Sequence, residues 1–220
     1  MKGKHIPYVK WPNTPEESAE FFQAFERAIQ TRRSVRFFSD APVPKETIDK
    51  ILAIGNNAPS GANKQPWHFA VVSNPEIKRK IRLAAEEEEK QFYGGRASEE
   101  WLKDLEPFGT DWQKPFLERA PWLIIVFRES YELDAEGNKK KNYYAQESVG
   151  IATGFLISAI HAAGLSTLTH TPAPMDFLSE LLERPVNEKA FVILPVGYAE
   201  TDATVPDLTK KGLDEKATYF

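Results

Sequence analysis

The sequence contains no cysteine, which excludes disulfides, thiolate nucleophiles and cysteine-ligated metals. It has only four histidines, and no pair of them has the HExxH spacing of a catalytic zinc helix. We therefore expect no metal. The formal net charge of -4 and the lack of a basic stripe argue against a nucleic-acid partner.

Long hydrophobic runs are also missing. No apolar segment reaches the ~20 residues that a membrane helix needs, and the N-terminus lacks the apolar core of a signal peptide. We therefore expect a soluble, cytoplasmic protein without a membrane partner.

What is present indicates a well-packed globular protein. The 220 residues are 41% hydrophobic and 12% aromatic, enough for one sizeable core and too few for two comfortable domains. We expect a single domain over 1–220, with an N-terminal arm at about 1–14 and a C-terminal extension at about 200–220.

Local patterns predict helices mixed with short strands. "TPEE" predicts a helix start with Thr14 as N-cap and Glu17 closing a capping box. Further helices are predicted at "VPKETIDKILAIGNN", "NPEIKRKIRLAAEEEEKQFY", 98–105, 142–163 and "DFLSELLE", and strands at "WHFAVVS", "WLIIVFR", "LSTLTHTP" and "KAFVILPVGY". No regular strand–helix alternation emerges, so we predict an α+β class with a small sheet flanked by helices. The helix at 142–163 is apolar on most faces, which indicates burial in a large core or in a subunit interface. In so small a protein we expect the interface.

Two segments could bind a ligand. "RRSVRFF" at 32–38 has three arginines and a serine, which suit phosphate oxygens; a basic helix C-terminus complementing the helix dipole is the alternative. "APSGANKQPWHF" at 58–69 is a tight turn that lets the backbone approach a ligand; an ordinary loop leading into a strand is the alternative. The sequence has neither GxGxxG nor a P-loop motif, so Rossmann and P-loop nucleotide sites are excluded.

The four glutamates of "AAEEEEKQFY" carry little information by themselves. Composition predicts a solvated helix face, and we expect Glu86, Glu87 and Glu88 to face solvent. Glu89 and Tyr93 are spaced i and i+4, so they share one face of a helix.

Together these motifs resemble the FMN-dependent nitroreductase superfamily and, within it, the iodotyrosine deiodinase branch. The resemblance runs from about Ala28 to Asp214 and includes "EEEEKQFY", "DWQKPFLERAP", "NYYAQESVGIATG", "GLSTLTHTP" and "ATVPDL". It implies a nitroreductase-like fold with a central mixed sheet flanked by helices. It also implies an intertwined homodimer with two FMN sites at the subunit interface.

The resemblance also implies residue roles. FMN would contact Arg32, Arg33, Ser34, Val35, Arg36, Ser60, Gly61, Thr169, His170, Thr171 and, at its phosphate, Lys210 or alternatively Lys211. Thr171 would be the catalytic hydroxyl, hydrogen-bonded to flavin N5 and favouring one-electron steps.

The substrate implied by the resemblance is a halotyrosine. Glu89, Tyr93 and Lys114 would clasp its zwitterion, and the main-chain N–H of Ala62 would donate to its phenolate. The segment of about 86–114 would form a lid over it. The reaction would convert 3-iodotyrosine or 3,5-diiodotyrosine to tyrosine and iodide, with NAD(P)H or a separate reductase as electron donor. A general nitroreductase or quinone reductase, and a non-catalytic flavin or amino-acid binding protein, are the alternatives.

Overall fold

The computed structural model describes residues 5–11 and 14–220, which fall into two compact units that divide after Arg32. The N-terminal arm expected at about 1–14 lies partly outside the described residues. In the first unit, α1 (Pro15–Thr31) starts with the predicted capping box, in which Thr14 and Glu17 exchange two hydrogen bonds of 3.2 Å. No residue of α1 is buried. Phe21, Phe22 and Phe25 of α1 are each at least 46% exposed.

The second unit is built on a four-stranded sheet. The strands of the chain are β1 (Trp67–Val72), β2 (Trp122–Glu129), β3 (Tyr131–Leu133), β4 (Lys139–Lys141), β5 (Ser166–Thr167) and β6 (Glu188–Gly197). The sheet order is β1-β2-β6-β5 with antiparallel pairing throughout, and β3 and β4 form a separate antiparallel hairpin. Outside these strand pairs, an isolated parallel bridge joins Ser34 to Thr167 of β5.

Helices cover both faces of the sheet, as the α+β prediction required. They are α2 (Lys45–Asn56), α3 (Pro75–Gln91), α4 (Glu99–Leu105), α5 (Phe116–Arg119), α6 (Ala145–Ala162) and α7 (Asp176–Leu181). Alternate residues of β2 point to opposite faces. Ile124 and Val126 pack with α2 and α6, whereas Ile125 and Phe127 pack with α3, α5 and α7. The layer of α3, α5 and α7 positions the candidate site.

Helix α6 is divided between the core and the surface. Leu156 is fully buried and lies so close to α2 that a Cβ on Gly55 would come within 2.4 Å of its Cδ2. On another face, Ile151 and Phe155 are 44% and 40% exposed. The helix thus serves its own core and leaves an apolar face uncovered in the single chain.

Several local features differ from the sequence-based expectations. The strand predicted at "LSTLTHTP" shortens to the two residues of β5, and the β3–β4 hairpin was not predicted. A π-helical turn, Phe92–Arg96, continues α3. Among the helices that the structure describes, none has the length and apolarity that crossing a bilayer requires.

Candidate active site

A cavity of about 640 Å³ lies in the second unit, between the C-terminal end of α3 and the chain that follows β5. Its wall also includes the π-helical turn, α4 and the segment that precedes α5. Seven of the residues implied by the resemblance line it: Arg36, Glu89, Tyr93, Lys114, Thr169, His170 and Thr171. These residues come from four separate segments of the chain, so the fold brings members of both implied sets, cofactor and substrate, to one cavity.

Three of the four residues implied for the substrate, Glu89, Tyr93 and Lys114, form a tight cluster. Lys114 is only 3% exposed, and its Nζ lies 3.2 Å from Oε2 of Glu89. The same Nζ donates to the Thr110 hydroxyl at 3.3 Å and to the main-chain carbonyl of Asp111, and it lies 5.4 Å from the centroid of the Tyr93 ring. A carboxylate, an ammonium and a phenol therefore meet in one partly enclosed space.

Burial controls the electrostatics of this cluster. It raises the pKa of Glu89 and lowers the pKa of Lys114, while the charge of each opposes the shift of the other. Burial also raises the pKa of Tyr93, whose side chain hydrogen-bonds to Thr110. The ion pair therefore lacks solvation that water would give it, and a ligand with complementary charges can replace that solvation.

The acidic run of α3 divides into four different environments. Glu87 is exposed and Glu88 is half-buried. The expectation that Glu86 faces solvent is wrong, because this residue is 6% exposed. Its Oε1 accepts a hydrogen bond of 2.8 Å from the main-chain N–H of Lys114 and lies 3.2 Å from Arg82. The i, i+4 spacing of Arg82 and Glu86 indicates their ion pair but not the bond of Glu86 to Lys114.

Arg96 is a residue of the cavity wall that the sequence analysis missed. Its guanidinium donates to the Glu88 carboxylate at 3.0 Å and to the main-chain carbonyls of Glu88 and Ala173 at 2.8 and 2.6 Å. The preceding residue, Gly95, has φ of 143°, a region that favours glycine. Arg96 thus ties the π-helical turn to the opposite wall of the cavity.

The Thr169–Thr171 stretch alternates in burial. Thr169 and Thr171 are exposed, whereas His170 is buried and contacts the ring of Phe116 edge-on at 5.4 Å. Within the described part of the chain, no residue hydrogen-bonds to either threonine hydroxyl. Both hydroxyls are thus available to a ligand in the cavity.

The arginine segment is only partly at the cavity. Arg32 belongs to the first unit and caps α1 through its N–H. Arg33 donates to the main-chain carbonyl of Pro206, and the buried Val35 donates its N–H to Thr167 at 3.1 Å. Arg36 does line the cavity; burial lowers its pKa, and it forms no ion pair with any described residue.

The Ser60–Ala62 turn does not line the cavity of its own chain. The Ser60 hydroxyl accepts from the N–H of Gln65 at 2.8 Å. A Cβ on Gly61 would lie 2.9 Å from the carbonyl oxygen of Tyr143, so only glycine fits there. Ala62 is left-handed, with φ of 51°, and its N–H has no partner among the described residues. Lys210 and Lys211 are exposed and also lie outside the cavity wall.

A family model described as the nitroreductase family matches residues 29–198. The chain belongs to the nitroreductase family. Within it, an iodotyrosine deiodinase from Haliscomenobacter hydrossis is 56% identical over 215 residues, covering 96% of this chain and 95% of that relative. Human iodotyrosine deiodinase 1 is 43% identical over 213 residues, covering 96% and 74%.

Solved structures agree with this assignment. A crystal structure of oxidized iodotyrosine deiodinase bound to FMN and 3-iodo-L-tyrosine superimposes with a TM-score of 0.75 at 32% identity, covering 89% of this chain and all of that one. A nitroreductase from Bacteroides fragilis with bound FMN gives a TM-score of 0.64 at 21% identity, a likeness of fold alone. The predicted nitroreductase-like α+β fold is thus confirmed.

The residues of this nitroreductase-family chain suit a flavin. Arg36 is cationic and without an ion-pair partner in the described chain, and the hydroxyls of Thr169 and Thr171 face the same cavity unbonded. An aromatic ring system with polar edges and a phosphate needs such donors. The donor set therefore fits FMN.

A second group of ionisable side chains lies on the sheet, away from this cavity. His68, Glu129 and Glu188 place their ligand atoms within 4.8 Å of one another. Arg184 donates to both carboxylate oxygens of Glu188, at 2.6 and 2.7 Å. Arginine thus neutralises the buried acid there, and we assign no metal to this group.

Proposed function

We propose that this chain is an FMN-dependent reductive dehalogenase that converts halotyrosines, 3-iodotyrosine and 3,5-diiodotyrosine foremost, to tyrosine and halide. The observation that carries the proposal is the buried pair of Glu89 and Lys114, 3.2 Å apart, in the cavity that also presents the hydroxyls of Thr169 and Thr171. The iodotyrosine deiodinase crystallised with FMN and 3-iodo-L-tyrosine, which this chain resembles along 89% of its length, supports it.

The pair suits an amino-acid zwitterion. A substrate ammonium inserted at Glu89 and a substrate carboxylate at Lys114 would give each buried charge a counter-charge and a directed hydrogen bond. Tyr93, whose raised pKa keeps it a phenol, can donate to the substrate carboxylate or accept from its ammonium. The amino-acid end of the substrate is then fixed, and its ring is directed toward the rest of the cavity.

Of the residues that the resemblance implies for FMN, we assign ten to the flavin site: Arg32, Arg33, Ser34, Val35, Arg36, Ser60, Gly61, Thr169, Thr171 and Lys210. Both main-chain groups of His170 are bonded to Ile193, so this residue is not assigned as a flavin donor. When bound and reduced, FMN would supply the two electrons that, together with one proton, replace the carbon–halogen bond by a carbon–hydrogen bond with release of halide. Thr171 would direct its hydroxyl at the cofactor, and the free N–H of Ala62 would hold the substrate phenolate, as donors in other oxyanion sites do.

The proposal requires a second copy of the chain. Because Ser60, Gly61 and Ala62 lie outside the cavity wall of their own chain, a partner subunit would bring this turn to the site. The uncovered Ile151 and Phe155 of α6 offer an apolar surface for such an interface. We therefore propose a homodimer with two shared sites, a cytoplasmic location, and NAD(P)H or a separate reductase as electron donor.

The decisive experiment uses the purified FMN-loaded protein. We expect 3-iodotyrosine to quench the flavin fluorescence with saturation, and dithionite-reduced protein to release one iodide per 3-iodotyrosine consumed. Light scattering should give the mass of a dimer. Binding without iodide release would favour a non-catalytic binding protein, and absence of binding would reject the proposal.

Replacement of Glu89 by Gln separates the proposal from a general nitroreductase. Because loss of one partner of a buried charged pair costs several kcal/mol, we expect Glu89→Gln to weaken 3-iodotyrosine binding by at least ~30-fold. Reduction of a nitroaromatic without an amino-acid group should change little. Equal losses for both substrates would argue for a general reductase in which Glu89 serves only the fold.

A further inference from the structure

His170 can act on a ligand only through its imidazole. Its main-chain N–H donates to the carbonyl of Ile193 at 3.0 Å, and its carbonyl accepts from the N–H of Ile193 at 2.9 Å. Both main-chain groups are thus committed to the edge of the sheet. Any role of His170 in the cavity must therefore come from its ring.

The ring faces the substrate cluster. Thr169 and Thr171 are exposed, while the buried His170 side chain packs against Phe116 on the side of α3 and α5. Its Nε2 lies 3.9 Å from Oε1 of Glu89. Since neighbours in an extended chain point to opposite sides, the imidazole and the two flanking hydroxyls serve different parts of the site.

The ring nitrogen and the carboxylate oxygen are complementary and incompletely bonded. Nε2 of His170 is buried and has no hydrogen-bond partner among the described residues. The other oxygen of Glu89, Oε2, faces Lys114 at 3.2 Å. A buried polar atom without a partner is uncommon in native proteins, and one that lines a ligand cavity indicates a bond formed in another state of the site.

The charges around His170 make it a neutral donor. Lys114 and Arg36 face it as cations, Glu89 as an anion, with Arg96 and Tyr93 near that carboxylate. Burial first, and then the two cations, lowers the pKa of His170 to about 3. The 3.9 Å contact is therefore not an ion pair at neutral pH, and a neutral imidazole carries one N–H and one acceptor nitrogen.

We propose that His170 is a positioning residue of the amino-acid clasp, whose Nε2–H donates to Oε1 of Glu89 once the substrate carboxylate draws Lys114 away. This inference rests on the proposed function. A contraction of about 1 Å from the present 3.9 Å brings the two atoms to hydrogen-bond distance. His170 then keeps Glu89 anionic and oriented while that carboxylate receives the substrate ammonium.

The inference assigns the imidazole to the substrate and not to the flavin, so the two roles can be separated. The FMN-loaded wild type, His170→Phe, His170→Asn and His170→Gln are titrated with 3-iodotyrosine and with 2-iodophenol, which lacks the amino-acid group. A hydrogen bond to a charged group contributes about 1.5–3 kcal/mol. We therefore expect Phe and Asn to weaken 3-iodotyrosine binding by about tenfold or more, and Gln, whose amide reaches further and donates, to restore most of it.

Three further readouts exclude a general structural effect. Affinity for FMN and for 2-iodophenol should remain within about twofold in all three variants. When 3-iodotyrosine affinity is measured against pH, the decline on the acidic side (the acidic limb) should occur at higher pH in His170→Phe. The reason is that Glu89 loses a hydrogen-bond donor to its charged form. Asn keeps a polar group that cannot span the gap, so it tests the inference even if Phe fails to fold.

Two outcomes would overturn the inference alone. Unchanged 3-iodotyrosine affinity in Phe and Asn would show that the bond does not form, and loss of FMN with an unmoved acidic limb would make His170 a flavin ligand. Both leave the proposed function intact if the wild type binds 3-iodotyrosine and releases iodide. Failure of the wild type itself would reject both.

Discussion

Glu86 accepts the main-chain N–H of Lys114 at 2.8 Å. This bond joins the middle of α3 to a residue 28 positions later in the chain, inside a buried environment. One turn further along α3, Glu89 contacts the ammonium of the same lysine at 3.2 Å. Two carboxylates of one helix thus set both the backbone position and the side-chain direction of Lys114.

Loss of the Glu86 carboxylate should therefore weaken substrate binding indirectly. We expect Glu86→Ala to raise the KM for 3-iodotyrosine about tenfold, because an unpaired buried N–H costs about 1–3 kcal/mol. Glu86→Gln retains an acceptor oxygen and should lose less. Glu87→Ala is the matched control, since Glu87 is exposed and its ion-pair partner among the described residues is Lys90, at 3.6 Å. Equal KM values for Glu86→Ala and Glu87→Ala would contradict the proposed positioning of Lys114 by Glu86.

The affinity for 3-iodotyrosine should depend on pH with two limbs. Glu89 must be anionic to bind the ammonium, and its raised pKa means that binding declines as pH falls at a pH above the ordinary carboxyl range. Lys114 must be cationic, and its lowered pKa brings the upper decline below the ordinary lysine range. Fluorescence titrations across pH test both limbs. Glu89→Gln should abolish the acidic limb. If the acidic limb persists in this variant, it belongs to another group.

We expect Arg96 to hold the proposed lid, residues of about 86–114, against the opposite wall of the cavity through its bond to Ala173. We expect Arg96→Ala to raise the KM for 3-iodotyrosine about tenfold and to increase proteolysis within the lid, because three hydrogen bonds are lost. Arg96→Lys keeps the charge but cannot bridge three acceptors as the planar guanidinium does. Its KM and its rate of proteolysis should therefore lie between those of the wild type and Arg96→Ala. The affinity for FMN is the control. Unchanged proteolysis in Arg96→Ala would show that Arg96 does not hold this segment in place.

The contact of α2 with α6 makes a prediction for stability. In Gly55→Ala the new Cβ would lie 2.4 Å from Cδ2 of Leu156, and overpacking of this kind costs about 1–3 kcal/mol. Chemical denaturation should show that loss. Gly94→Ala, where nothing lies within 4 Å of the new Cβ, should stay within about 0.5 kcal/mol of the wild type. Equal stability of the two variants would mean that Leu156 repacks without cost.

Local patterns predicted the elements whose causes are local. The N-cap predicted at Thr14 forms a side-chain bond to the first turn of α1, and Asn74 and Ser98 cap α3 and α4 in the same way. The i, i+4 relation of Glu89 and Tyr93 also places both on the cavity wall. These features depend on a few neighbouring residues, which the sequence displays directly.

The remaining features depend on contacts between distant segments. The burial of Glu86 follows from the approach of Lys114, and Arg96 donates to the carbonyl of Ala173, 77 positions away. No periodicity records such pairs. The assignment of Lys114 came from the resemblance to deiodinases and could not be derived from residue spacing. Strand β5 is short because its pairing with β6 ends after Thr167.

The acidic run of α3 has a consequence for how the sequence can change. Glu86 accepts a hydrogen bond from the main-chain N–H of Lys114, and Glu88 forms an ion pair with Arg96. Glu89 forms an ion pair with the ammonium of Lys114, and Glu87 is exposed. Each residue of a helix is turned about 100° from the last. Removing or inserting one glutamate would therefore exchange all of these partners at once. A stretch that looks like a repetitive tract should tolerate substitution at Glu87 but no change in length.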